Sequence, residues 1–273
     1  MRRRSIALAL VAAVGLAATA AAQRGRFRGG GGGRFQQRVE PNAPYDGAFR
    51  FCRIMFRNNP LGDGGGWAVD YPRADMNLPY RLSELTATSV SRDPDGNYNH
   101  SAFQLTDPEL YHCPFIMMTE VGALYMDQQE AAALRDYLLK GGFLWADDFW
   151  GEYAWSVFRS EMSKALPESQ IVELPLSHSL FHMLYQVEKV PQIPSIGSWF
   201  ALGGGTSERG ADSAVPHARA IFNENGDLMV LITFNTDFGD AFEREGDNRA
   251  YFDTFAGVGY AFGINALLYS MSH

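Results

Sequence analysis

The stretch Gly141-Gly142-Phe143-Leu144-Trp145-Ala146-Asp147-Asp148-Phe149-Trp150-Gly151 constrains this chain more than any other. An apolar run of strand length ends in two adjacent carboxylates, and a helical pattern follows. In open α/β sheets, ligands sit beyond the carboxyl ends of the strands. Asp147 and Asp148 therefore stand where binding or chemistry is placed. An aspartate there also has a plain structural use as a helix N-cap, accepting backbone N–H bonds at the positive end of the helix. One of the pair is expected to serve in that way. The other then needs an arginine, a histidine or a metal, because neighbouring carboxylates repel and one otherwise takes up a proton.

The flanking sequence gives this strand its context. Pro114-Phe115-Ile116-Met117-Met118 reads as a second strand, and Asp127 opens a helix in which Ala131, Leu134, Tyr137 and Leu138 recur at helical spacing. Gly141 closes that helix, as a glycine after the last turn does. A helix between two short apolar strands is the pattern of a βαβ unit in a parallel sheet. A first strand is expected over residues 49–56, a helix through Tyr80, Leu82 and Leu85, a loop over residues 88–101 and a strand over residues 170–174. Asn223-Glu224-Asn225-Gly226 between two apolar runs signals a C-terminal β-hairpin. The segment from about Tyr251 to Tyr269 reads as a closing helix whose Gly257, Gly259 and Gly263 imply close packing against the sheet.

The N-terminal part reads as non-structural. Arg2, Arg3 and Arg4, the apolar residues 6–16 and Ala20-Ala21-Ala22 have the layout of a signal peptide over residues 1–22, with cleavage near Ala22. The apolar part is short for a membrane span, which makes an uncleaved anchor the weaker alternative. Residues 23–45, rich in glycine and arginine, read as a disordered linker. A single α/β domain is expected over residues 46–273, in a periplasmic or secreted protein with no transmembrane segment in the mature chain. The full chain has a net charge of −8, and much of its positive charge lies in the first residues, so nucleic acid is not expected as a partner. Cys52 and Cys113 are read either as buried thiols or as a bridge.

Four polar clusters fall at expected strand ends or in the loops after them. Asp70, Asp75, Asn77, Arg81 and Glu84 form the first, and Asp147, Asp148 and Glu152 the second. Ser177, His178 and His182 form the third, and Asn235, Thr236, Asp237, Asp240 and Glu243 the fourth. Oxygen donors alternating from Asn235 to Asp240 suit a hard cation or sugar hydroxyls, or an Asx-turn network that only holds the loop. His178 is either a loop residue or an acid or ligand beside the aspartates. Neither a G-x-S-x-G elbow nor a phosphate-loop motif is present.

Trp67-Ala68-Val69-Asp70-Tyr71-Pro72, Asp75-Met76-Asn77-Leu78, residues 141–151, the His178–His182 segment and Phe234-Asn235-Thr236-Asp237 with Gly239-Asp240 occur in that order. Together they resemble the bacterial domain of unknown function 4159. The resemblance implies a place in the class I glutamine-amidotransferase-like superfamily, related to trehalose-utilisation-type proteins, with a flavodoxin-like three-layer α/β sandwich. In amidotransferases the turn after the corresponding strand carries a nucleophilic cysteine; here it carries Asp147 and Asp148, so glutaminase activity is not expected.

The resulting expectation is an envelope-associated ligand-binding or scaffold domain with an acidic pocket for carbohydrate or a divalent cation. Trp67, Trp145, Trp150 and Trp155 near the carboxylates favour carbohydrate if their faces are free to stack on sugar rings, and are core residues otherwise. Asp147, Asp148 and His178 are the candidate catalytic residues. Asp70, Asp75, Arg81, Trp150 and Asn235 are candidate substrate contacts, and Asp237 and Asp240 candidate metal ligands. The alternatives are a metal- or carboxylate-dependent hydrolase acting on a glycan or related envelope substrate, and a module that docks an envelope protein partner.

Overall fold

The computed structural model describes residues 39–272; the expected signal peptide and most of the expected linker lie outside the described residues. Residues 39–45, the last part of that linker, belong with the domain. Asn42 exchanges side-chain hydrogen bonds with the backbone of Ala102, and the Arg50 guanidinium donates to the carbonyls of Ala43 and Pro44.

The strands are β1 (Phe51–Ile54), β2 (Arg57–Asn58), β3 (His100–Phe103), β4 (Phe115–Thr119), β5 (Leu124–Tyr125), β6 (Phe143–Asp147), β7 (Val172–Glu173), β8 (His217–Phe222) and β9 (Leu228–Phe234). Seven of them form one sheet in the order β3-β1-β4-β6-β9-β8-β7, while β2 and β5 pair separately. The strands from β3 to β9 in that order run parallel, and β8 and β7 add an antiparallel edge. The protein is thus an α/β fold with a mostly parallel sheet. The β8–β9 hairpin is present: the Asn223 side chain accepts the N–H groups of Asn225 and Asp227, and Gly226 takes the positive φ the turn requires.

Helices α1 (Arg73–Leu85) and α7 (Gly257–Ser270) cover one face of the sheet, and α2 (Gln128–Leu139) and α3 (Gly151–Ala165) the other. Between them come the short helices α4 (Ile196–Ala201), α5 (Phe238–Glu243) and α6 (Arg249–Tyr251). Side chains alternate across a strand, so β4 and β6 each supply two cores. Phe115, Met117, Phe143 and Trp145 pack with Leu78, Leu82 and Phe262, whereas Ile116, Met118, Leu144 and Ala146 pack with Leu134, Phe158 and Met162. Each fully buried large apolar side chain contributes roughly 1.5–3 kcal/mol. Helix α2 starts at a capping box in which Asp127 accepts from the Gln129 and Glu130 backbone and Glu130 accepts from the Asp127 backbone.

Two details differ from expectation. The segment read as a loop over residues 88–101 contains backbone bridges at Val90, Arg92 and Tyr98 and runs into β3, which pairs in parallel with β1. An edge strand has only one neighbour, and β3 is too short and polar to show the alternation of a buried one. In the closing helix, Gly259 and Gly263 face α5 rather than the sheet. A Cβ at Gly259 would lie 2.9 Å from Ala241 Cβ, and one at Gly263 would lie 2.8 Å from Phe242 Cζ.

Cys52 and Cys113 are joined by a disulfide across a sequence separation of 61, which decides between the two readings. Closing a loop of that length removes chain entropy worth on the order of 4 kcal/mol from the unfolded state. Unfolding of the oxidised protein and of a Cys52→Ala/Cys113→Ala double variant in denaturant should differ in midpoint accordingly; coincident curves would show that the bridge contributes nothing.

Candidate functional site

Each of the central strands β4, β6 and β9 ends the same way. The first residue after each is a non-glycine in the left-handed region: Glu120 (φ 55°), Asp148 (φ 56°) and Asn235 (φ 60°). Asp70, just before α1, shares that conformation (φ 63°). Such residues cost on the order of 1–3 kcal/mol each and cluster at functional sites. The turns are stitched sideways, with Glu120 N–H donating to Asp147 O and Asn235 N–H to Phe149 O, both at 3.0 Å. The left-handed turn therefore delivers polar side chains, two of them acidic, at neighbouring strand ends.

The adjacent aspartates divide their labour. Asp147 is fully buried, and one of its oxygens accepts the N–H groups of Phe238 (2.8 Å) and Gly239 (3.1 Å) at the start of α5. Its other oxygen receives the Thr233 hydroxyl, which in turn accepts the Trp145 indole N–H at 2.7 Å. Asp147 is thus the helix-capping member of the pair, although the helix it caps is α5 rather than the one following it in sequence. Burial pushes its carboxyl up to about 7 in spite of these bonds.

Asp148 turns the other way. Its Oδ1 accepts the Trp150 indole N–H at 3.0 Å, and it meets Asp70 and Asp237. One carboxylate oxygen from each of these three lies within 4.8 Å of the others, and all three residues are buried. Asp237 caps α5, its Oδ1 accepting Asp240 N–H at 2.7 Å. Asp70 is 6% exposed, and its Oδ2 has no hydrogen-bond partner among the described residues. Gly239 makes the room for it: a Cβ there would stand 2.2 Å from Asp70 Oδ2.

Burial first, and then the neighbouring carboxylates, hold Asp70, Asp148 and Asp237 well above the ordinary aspartate range. For Asp237 the neighbours are Asp148, Asp70 and Asp240, in that order after burial. Glu120, half-buried at the next strand end, is raised to about 7, chiefly by burial and against a backbone hydrogen bond from Gly65. Glu120 is absent from the candidates drawn from sequence, although Met118-Thr119-Glu120 repeats the apolar-strand-then-acid pattern of Ala146-Asp147-Asp148.

The other candidates are placed elsewhere or held by the fold. Asp75 receives the Arg53 guanidinium, with both side chains fully buried, and Arg53 also donates to the carbonyls of Trp67 and Val69. That grip fixes the loop carrying Asp70. Arg81 is tied to Glu84 and Glu245. Asn235 staples two loops, accepting Gly151 N–H and donating to Val215 O, each at 2.9 Å. Asp240 accepts Ile196 N–H at 2.6 Å and lies near Arg244. His178 caps a short 3-10 turn and packs its ring against Phe222 and Tyr269. Phe222 pairs with Leu228 at the start of β9, so His178 is at the opposite end of the sheet from the aspartates.

Residues 51–271 match the family described as Domain of unknown function (DUF4159). The chain belongs to this family. No curated protein matches the chain. The family's span covers every strand of the sheet and every carboxylate of the strand-end cluster.

In protein stripped of divalent ions, the raised carboxyls favour a protonated folded state. Asp147 contributes stability that is full below its ordinary value of 3.8 and lost as pH rises through about 7, and Asp70, Asp148 and Asp237 act in the same direction. The melting temperature in EDTA should therefore fall as pH is raised from about 4 to about 7, and a flat profile would contradict the cluster's electrostatics. Gly239→Ala should lower stability by roughly 1–3 kcal/mol through overpacking against Asp70, measured by chemical denaturation.

Proposed function

We propose that the domain is a cation-dependent binding module of an exported protein, with a hard divalent cation held by Asp70, Asp148 and Asp237. The observation that carries this reading is the Asp70 carboxylate, buried beside Asp148 and Asp237 with its Oδ2 unpartnered among the described residues. A buried charge without a partner is costly, and a cation relieves all three groups together. An all-oxygen donor set suits Mg²⁺, Mn²⁺ or Ca²⁺ better than softer metals.

Carbohydrate is the weaker occupant. Trp145, Trp150 and Trp155 are buried, and the Arg219 guanidinium already covers the Trp155 ring, 4.1 Å from its centroid. Of the four tryptophans near the carboxylates in sequence, only Trp67, half-buried and edge-on to Tyr71, remains for stacking on a sugar. Among the described residues no helix is long and apolar enough to cross a membrane. Export is supported by the leader pattern and by the disulfide, which fits an oxidising compartment. The left-handed turn at Asp148 after β6 supports a place in the class I glutamine-amidotransferase-like superfamily, related to trehalose-utilisation-type proteins, with the cysteine replaced.

The second reading, a metal-dependent hydrolase, is favoured by Glu120. A carboxyl raised to about 7 beside the cluster has the proton affinity of a general base near neutral pH. His178 has no part in either reading of the site.

Thermal unfolding in EDTA, then with Mg²⁺, Mn²⁺ or Ca²⁺, tests the proposal. At a hundredfold excess over the dissociation constant, a cation should add roughly 2.7 kcal/mol, or about 5–10 °C. Asp70→Asn should raise the melting temperature in EDTA by a few degrees and abolish the response to cations. No response in the parent protein with any of these ions would overturn the cation reading.

A further inference from the structure

Resting on the cation reading above, we propose that the cluster is a two-ion centre. Asp70 bridges the inner cation, held with Asp148 and Asp237, to a second divalent cation held with Asp240 and Glu243. Asp70, Asp240 and Glu243 form a second set whose ligand oxygens lie within 4.8 Å of one another, so Asp70 belongs to both sets. A carboxylate that bridges through both oxygens needs both of them available. Asp70 meets that requirement, because no hydrogen bond to either oxygen is found among the described residues, and its buried Oδ2 is unpartnered. The missing side chain at Gly239 leaves the space that the carboxylate occupies. Glu243 Oε2 is likewise buried and accepts no hydrogen bond among the described residues, although a guanidinium stands beside it.

Charge supports the same assignment. The five carboxylates of the two sets are Asp70, Asp148, Asp237, Asp240 and Glu243. One divalent cation leaves three of their five charges uncompensated, whereas two divalent cations leave one. Arg244 marks the second position in this structure. Its Nε lies 2.8 Å from Glu243 Oε2 and 3.4 Å from Asp240 Oδ1, while its Nη1 reaches Asp247 at 3.2 Å. The Arg244 side chain is 35% exposed, so it can yield Nε's place to an ion and stay paired with Asp247. The remaining Asp240 oxygen is already bound to Ile196 N–H, which orients Oδ1 for the ion. Two ions sharing a carboxylate present two Lewis acids to one oxygen ligand, which would give the hydrolase reading a means of activating water.

Mn²⁺ titration of the EDTA-stripped protein, followed by calorimetry and low-temperature electron paramagnetic resonance, tests this. Two Mn²⁺ per chain and the broadened signals of a spin-coupled pair are expected. Glu243→Gln, a near-isosteric change, should leave one ion with the hyperfine pattern of isolated Mn²⁺. Arg244→Gln should tighten the second ion several-fold by removing its competitor. A single isolated Mn²⁺ at saturation in the parent protein would overturn the bridge and leave the cation reading standing. No bound Mn²⁺, together with no bound Mg²⁺ or Ca²⁺ by the same calorimetry, would overturn both.

Discussion

The arrangement at the strand ends hangs on the Asp147 carboxylate. It is the last residue of β6, and through its two oxygens it binds the Thr233 hydroxyl of β9 and the first N–H groups of α5. Trp145 extends the chain of bonds back into the sheet through Thr233. Because α5 is docked on Asp147, its own cap Asp237 and its Asp240 and Glu243 come within reach of Asp70. A second anchor, the buried Arg53–Asp75 pair, holds the Asp70 loop by two backbone carbonyls. Removing one member of that pair would leave an uncompensated buried charge. The cluster therefore has rigid supports on both sides.

What these anchors assemble is an electrostatic conflict. Asp70, Asp148 and Asp237 are all buried and all raised by burial and by one another. The cationic side chains near them are engaged: Arg53 serves Asp75, and Arg244 spreads over Asp240, Glu243 and Asp247. Left-handed non-glycine residues at Asp70, Glu120 and Asp148 add backbone strain at the same place. A fold selected for stability alone would replace such groups by apolar ones. Strain and charge concentrated at the carboxyl edge of a parallel sheet are the marks of a site.

Much of the fold was legible from periodicity. The β4–α2–β6 unit and the hairpin rest on patterns internal to short segments, which sequence carries openly. Edge strand β3 did not show itself, because a strand with one neighbour needs no apolar run. In the site, the division between Asp147 and Asp148 was legible as a need for one cap and one other role. Which helix is capped was not, since α5 begins about ninety residues further along the chain. Glu120 was visible only as an acid after an apolar strand. His178 looked equivalent to the aspartates in sequence, yet lies at the other end of the sheet.

By itself the sequence determined the α/β class, the strand that ends in two acids and the family's motifs, because alternation, helical spacing and turn residues are local properties. Only the tertiary structure decided that Cys52 and Cys113 are bonded, that Asp75 and Asn235 belong to the scaffold, and that Asp70 meets Asp148 and Asp237. These are contacts between residues far apart in the chain, and they depend on strand order and on the direction each turn takes. The left-handed turn after a strand is a choice of a single φ angle, and it sends Asp148 into the cluster while Asp147 stays in the sheet.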